Sequence, residues 1–230
     1  MPRKHGLSRL FSAEPSYETI VPGMPNWQLL VIVNVAVFLM QPIVFSLLAA
    51  AFPLLSEGQV TGFLALKPDQ FFSAPWTIVT SMFLHADLMH LFFNMFALWM
   101  FGMVLEYKVG SRNFAVLYFS SGLLGSLAYL ATSWGSAVPG LGASGAIYVI
   151  LGAVAILEPH LTVFMMGFLP MPMWIAAIFW AGLELLGTLD NASLVGHWAH
   201  LGGMVAGIAM AYYLKRRAAA YDDYGYLEDQ

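Results

Sequence analysis

Cysteine is absent from the 230 residues, which excludes disulfides, thiolate metal sites and a cysteine nucleophile. Charge is scarce: Asp, Glu, Lys and Arg make up 10% of the chain, against about 25% in soluble domains. The nine basic residues are spread thinly under a formal net charge of −4. That leaves no patch to hold nucleic acid and no charge block of the kind that keeps a chain disordered. Apolar residues fill the space, at 60% of the chain and a mean hydropathy of +0.73. A water-soluble globule does not have this composition. The length suits one bundle of membrane helices, because each span takes about 20 residues.

Charge-free runs mark the spans. They are Thr19 to Ser56 (most apolar from Leu29 to Phe52), Leu88 to Leu105, Asn113 to Leu157, Pro159 to Leu183 and Asn191 to Leu214. The third run is too long for one span and is broken by Gly135, Pro139, Gly140 and Gly142, giving a helix on each side of the break. Six spans result. The first begins too late and runs too long for a cleavable signal peptide. An even number of spans puts both termini on one side, with Arg3, Lys4, Arg9, Lys108, Arg112, Lys215, Arg216 and Arg217. Only Lys67 falls on the other side. The excess of Lys and Arg predicts a multi-pass cell-membrane protein with both termini cytoplasmic. Residues 1–26 read as a polar cytoplasmic tail, 27–214 as the membrane domain and 215–230 as an acidic, tyrosine-rich cytoplasmic tail. The connection from Pro53 to Thr80 is long and mixed, as functional loops often are.

Polar residues inside spans are costly and are functional candidates for that reason. They are Asn34, His90, Asn94, Ser144, Glu184 and His200, with His85 and His197 nearer span ends. A rise of about 1.5 Å per residue, counted from the nearest charge at the basic end, gives their depths. Ser144 comes out about 21 Å up, His200 about 22 Å, Asn94 about 18 Å and His90 about 24 Å. Four polar side chains from three spans therefore share a level below the far surface of a core about 30 Å thick. His197 at about 27 Å and His85 at about 31 Å belong near the interface, and His197 reads as peripheral. Glu184 reads as an interfacial residue near the end of its span. Glu106, Lys108 and Arg112 read as a loop cluster. The helix from Ser144 to Leu157 is short, so the glycine-rich stretch before it must dip into the protein. Irregular backbone at that depth lines a water-filled cavity or is buried in protein, and water is what hydrolysis needs.

Gly142-Ala-Ser-Gly145 places a serine at a loop-to-helix junction. Small neighbours let a substrate backbone approach, and the free N–H groups of the first helical turn favour a developing oxyanion. A serine hydroxyl needs a base, and His200 is at the right depth to be one. His90 and Asn94, four residues apart on one helical face, can donate to the same oxyanion. The result is a serine–histidine dyad with no obvious acid to orient the imidazole. Tyr148, one turn after Ser144, can do so by packing or hydrogen bonding. Gly203 and Gly207 have the spacing that lets two membrane helices approach closely.

These residues resemble the rhomboid family of intramembrane serine proteases. The resemblance lies in His90-Leu-Phe-Phe-Asn94, Glu106-Tyr-Lys-Val-Gly-Ser111, Gly142-Ala-Ser-Gly-Ala-Ile-Tyr148 and Ala199-His-Leu-Gly-Gly203 with Gly207. Order and spacing agree from about Trp27 to Leu214. The resemblance implies an all-α membrane protein, a six-transmembrane-helix bundle with a short central helix bearing the nucleophile. It implies Ser144 as nucleophile and His200 as general base, then general acid. It further implies an oxyanion hole of His90, Asn94 and the Ser144 N–H, and Tyr148 stacked on His200. Gly142 and Gly145 support the site. No cofactor or metal is implied. The partners are the lipid bilayer and transmembrane protein substrates with small or helix-destabilising residues near the outer face. The 53–80 loop would be membrane-embedded, helix five (about Leu161 to Leu186) a lateral gate, and the loop near Asp190 a cap. Many members carry Trp-Arg in the first loop where this chain has Trp76-Thr77, which leaves the loop's anchoring open.

Two other readings compete. A catalytically silent rhomboid-like chaperone or dislocation factor would bind transmembrane helices without cutting them, but such relatives usually lack the serine or the histidine. A metal site or transporter would use His85, His90, His197 and His200. However, no HExxH occurs and only Asp87 is a nearby carboxylate.

Overall fold

The computed structural model describes residues 18–165, 168–190 and 195–228. Arg3, Lys4, Arg9 and most of the expected N-terminal tail lie outside the described residues, as do 191–194 of the expected cap and 229–230 of the C-terminal tail.

The chain is mostly α-helical. Helix α1 (Asn26–Ala51) starts directly after Pro25, which has no N–H to lose. Its first free N–H groups are met by a carboxylate far along the chain. Asn26 N donates to Glu106 Oε1 at 2.9 Å and Trp27 N to Oε2 at 2.8 Å, a favourable charge for a helix N-terminus. Glu106 is therefore buried and clamps α1, which corrects its reading as a loop residue. Lys108, from the same expected cluster, pairs with Glu158 instead. Leu30 and Asn34 face inward from α1, while Leu39 and Leu47 are exposed, as in a helix at the rim of a bundle in lipid.

The 53–80 connection is built of short helical pieces: α2 (Glu57–Gly62), a 3₁₀ turn over Pro68–Ser73 and α3 (Thr77–Thr80). Trp76 Nε1 donates to the Phe63 carbonyl at 2.7 Å and Thr80 Oγ1 to Leu64 at 2.7 Å. These bonds anchor the loop internally. Leu66 and Gly140 exchange both backbone bonds (3.0 and 2.8 Å), so the loop also holds the strand that dips toward Ser144.

Helices α4 (Leu88–Ala97) and α5 (Met103–Val109) are joined by a π-helical turn over Leu98–Gly102 into one rod. Gly110, at φ +81°, breaks the chain into α6 (Ser111–Thr132). Three helices among the described residues are long and apolar enough to cross a membrane: Asn26–Ala51, Leu88–Val109 and Ser111–Thr132. Helix α7 (Ser144–Leu157) is the short central helix, buried along most of its length.

The fifth expected span differs. Residues from Leu161 do not begin a helix. Thr162–Met165 (β1) and Leu169–Pro172 (β2) form an antiparallel hairpin, with Thr162 opposite Pro172 and Met165 opposite Leu169. Only then does α8 run, from Met173 to Gly187. The reason is local: Pro170 and Pro172 cannot donate the helical N–H, whereas Thr162-Val163-Phe164 is β-branched and aromatic. Helix α9 (His197–Glu228) closes the fold. It packs along α7 through glycines: a Cβ on Gly203 would lie 2.8 Å from the Gly145 carbonyl oxygen. Lys215 Nζ reaches the Ile156 carbonyl at 2.8 Å, so Lys108 and Lys215 meet the same end of α7. Asp69, partner of Lys67 at 3.9 Å, is bonded through its N–H to Ser136 near the other end. Among the described residues, Lys108 and Lys215 thus lie at one end of α7 and Lys67 toward the other.

Candidate active site

Ser144 is the first residue of α7, so its own N–H and those of Gly145 and Ala146 precede the first helical bond, which Ile147 N makes to the Ala143 carbonyl at 3.1 Å. The approach to it requires glycine. Gly142 has φ +117°, and a Cβ there would sit 2.8 Å from His90 Cε1 and Nε2. Gly142 N donates to the Ser81 carbonyl at 2.9 Å, which fixes the dip. A Cβ on Gly145 would be 3.5 Å from Gly125 Cα, so α6 and α7 nearly touch beside the serine.

His200, one turn into α9, turns Nε2 toward Ser144 Oγ at 2.7 Å. Tyr148 lies flat on the imidazole, with ring centroids 4.3 Å apart and planes 6° from parallel. Ser144, His200 and His90 line one cavity of about 560 Å³, together with Gly142, Gly145 and Tyr129. Its size suits an extended stretch of polypeptide and water. Asn94 is buried but does not line the cavity. Its Nδ2 donates to the His90 carbonyl at 2.8 Å, one helical turn away, which leaves its second N–H. Asn34 stays apart, bonded to Leu30 in its own helix at 2.8 Å.

Two expectations are corrected here. Glu184 is not an interfacial residue but 8% exposed. It accepts a hydrogen bond from the Tyr148 hydroxyl. Its Oε2 is 2.6 Å from His197 Nδ1, and its Oε1 is 3.1 Å from His200 Nδ1. That last contact is within ion-pair range but outside hydrogen-bond alignment. His197 is accordingly not peripheral; it belongs to the same cluster. Sequence depth missed both because it gives height along a helix, not which helices face each other. Glu184 and His197 do have one visible signal, a carboxylate and an imidazole in neighbouring apolar runs close to their shared loop. Glu184, His197 and His200 are also the residues, among those described, whose ligand atoms converge enough to be considered for a cation, all within 4.8 Å.

His85 is fully buried, and its ring packs edge-on against His90 at 5.1 Å. Gln41 holds its backbone from α1, Nε2 to the His85 carbonyl at 2.9 Å. Burial, and then the neighbouring His90, push the His85 pKa down to about 4, so this ring is neutral under ordinary conditions.

Chemically, the arrangement offers a hydroxyl beside an imidazole acceptor, at a helix N-terminus and in a cavity. A model of the Rhomboid domain matches residues 73–217. The mitochondrial Rhomboid protein 1 of Saccharomyces cerevisiae is 34% identical over 149 residues, which is 61% of this chain and 42% of that protein. The mitochondrial RHOMBOID-like protein 12 of Arabidopsis thaliana is 35% identical over 158 residues, 61% of this chain and 47% of that protein. Rhomboid protease GluP of Bacillus subtilis is 40% identical over 79 residues, 34% of this chain and 15% of that protein. The chain spans less than half the length of these relatives. The first two are mitochondrial by name, and they overturn the expected cell-membrane location with cytoplasmic termini: charge asymmetry orients spans but does not say which membrane holds them. With the domain match covering more than half of its residues, the chain belongs to the rhomboid family.

Proposed function

We propose that this chain is an intramembrane serine endopeptidase that cleaves transmembrane segments of membrane proteins. The observation that carries the reading is the 2.7 Å contact of Ser144 Oγ with His200 Nε2 at the floor of a cavity. In this mechanism Ser144 attacks the scissile carbonyl while its proton passes to Nε2. The negative oxygen is met by the Ser144 N–H at the helix terminus and by His90; Asn94, whose Nδ2 is turned to the His90 carbonyl, joins them only if its second N–H swings toward the cavity. His200 then protonates the leaving amine, and water resolves the acyl-enzyme. Tyr148 keeps the imidazole from rotating, and Gly142 and Gly145 leave room for substrate backbone.

We take α1, the α4–α5 rod, α6, α7, α8 and α9 up to Leu214 as six membrane helices of a 27–214 domain, flanked by 1–26 and by 215–230, into which α9 continues as far as Glu228. The reading needs no cofactor. Substrates reach the site from the lipid bilayer, and the names of the relatives favour a mitochondrial membrane. The test is cleavage of a labelled transmembrane reporter by purified protein in liposomes, compared with folded Ser144→Ala and His200→Ala. Cutting by wild type alone is expected. Reporter bound but uncut by all three would refute the reading and favour a binding protein.

A further inference from the structure

The Glu184 carboxylate makes this site more than a dyad. Ser144 and His200 come from α7 and α9, but Glu184 comes from α8, whose other faces carry exposed Trp174, Ile178 and Leu186. One carboxyl group in an apolar helix is expensive to bury, so its surroundings matter. The Tyr148 hydroxyl and His197 Nδ1 both engage it, and it stands 3.1 Å from His200 Nδ1. That is the ring nitrogen opposite the one facing Ser144. An acid on Nδ1 selects the tautomer that carries its proton there and leaves the Nε2 lone pair free for a serine proton.

We propose that Glu184 is a positioning residue that completes a Ser144–His200–Glu184 triad, itself held in place by Tyr148 and His197. This rests on the protease reading above. During attack the Ser144 Oγ–H proton goes to Nε2, Oγ bonds to the substrate carbon, and the carbonyl pair moves to oxygen. When the C–N bond breaks, the Nε2 proton leaves with the amine. Glu184 stays ionised throughout and faces the transient imidazolium. The misaligned Nδ1–H contact tightens at that moment, as catalytic hydrogen bonds commonly do between the free and reacting states.

The same cluster is a poor metal site. Tetrahedral zinc at about 2.0 Å from each ligand keeps donor atoms about 3.3 Å apart, yet His197 Nδ1 and Glu184 Oε2 are 2.6 Å apart. They meet as donor and acceptor, with no room for an ion between them.

The test uses the full chain in detergent, with Glu184→Gln and Glu184→Asp beside wild type and Ser144→Ala. Glu184→Gln is expected to lower kcat by about 10² to 10⁴-fold with KM nearly unchanged, and Glu184→Asp to recover part of the loss. Nitrogen-15 NMR of histidine-labelled wild type is expected to show the His200 proton on Nδ1, moving toward Nε2 in Glu184→Gln. Wild-type kcat in folded Glu184→Gln, with Ser144→Ala dead, would overturn the triad and leave the protease reading standing. So would a wild-type proton on Nε2, or a stoichiometric zinc ion whose removal by chelator restores or abolishes activity. If Glu184→Gln does not fold, the wild-type tautomer decides. If wild type cuts nothing, the protease reading fails, and the tautomer still judges the placement of the carboxylate.

Discussion

Gly207→Ala tests whether helix packing alone sets the catalytic distance. Gly207 lies where α9 crosses α7, and a Cβ there would be 2.8 Å from the Val149 carbonyl carbon and 3.0 Å from Ala153 N, with the Val149 oxygen nearer still. All three are backbone atoms, so no rotamer relieves the clash. Restoring an ordinary carbon–carbon separation of about 3.5–4.0 Å requires the helices to part by about 1 Å. Ser144 and His200 sit on these two helices, about 8 to 10 Å along the axes from the crossing. The 2.7 Å contact between them would stretch past about 3.5 Å, where it ceases to be a hydrogen bond. A misplacement of about 1 Å costs on the order of 10²-fold in rate. Overpacking costs about 1–3 kcal/mol, and the better helix propensity of alanine returns about 1 kcal/mol. The net loss of stability is therefore up to about 2 kcal/mol. Reporter cleavage and thermal unfolding in one detergent measure both effects. Gly202→Ala is the control, on the same helix with no atom within 4 Å of the new Cβ. It should keep the wild-type rate and melt no lower. A wild-type rate in Gly207→Ala, or an equal loss in Gly202→Ala, would refute the reasoning.

Two further predictions concern stability. Glu106→Ala strands the buried N–H of Asn26 and the half-buried N–H of Trp27, and hydrogen bonds to charged groups are worth about 1.5–3 kcal/mol each. It should cost about 3 kcal/mol or more in denaturant unfolding, with Glu106→Gln losing roughly half of that; near-equal stability of the two variants would argue against the clamp. His85 has its pKa held at about 4 in the folded protein against an ordinary 6.5. The unfolded chain binds this proton first, so folding loses stability as pH falls from about 6.5 to about 4, by about 3 kcal/mol at the end of the window. Thermal melts of wild type and His85→Phe across that range should diverge, with the variant falling less; parallel curves would refute the assignment.

Part of the cluster around Ser144 is legible in the sequence. Axial height follows from counting residues along a helix, which is why Ser144, His200, His90 and Asn94 were placed at one level. The start of α7 at Ser144 was also readable, because glycines and a proline end the preceding helix. The anchoring of the first loop was not, since Trp76 and Thr80 bond to the carbonyls of Phe63 and Leu64, and backbone acceptors leave no mark in side-chain identity. The start of α8 is not legible from charge alone, because an uncharged run looks the same whether it is helix or hairpin; Pro170 and Pro172 are the signal present.

What the amino-acid order carries is the composition, the uncharged apolar runs and the motif set that marks the family. Tertiary structure alone decided that Glu184 and His197 join the imidazole, that Asn94 turns toward its own helix, and that Glu106 caps α1. The physical reason is that periodicity and charge fix a residue's height along its helix. Its rotation and its neighbours depend on how closely helices approach, and here backbone contacts at Gly145, Gly203 and Gly207 set that distance.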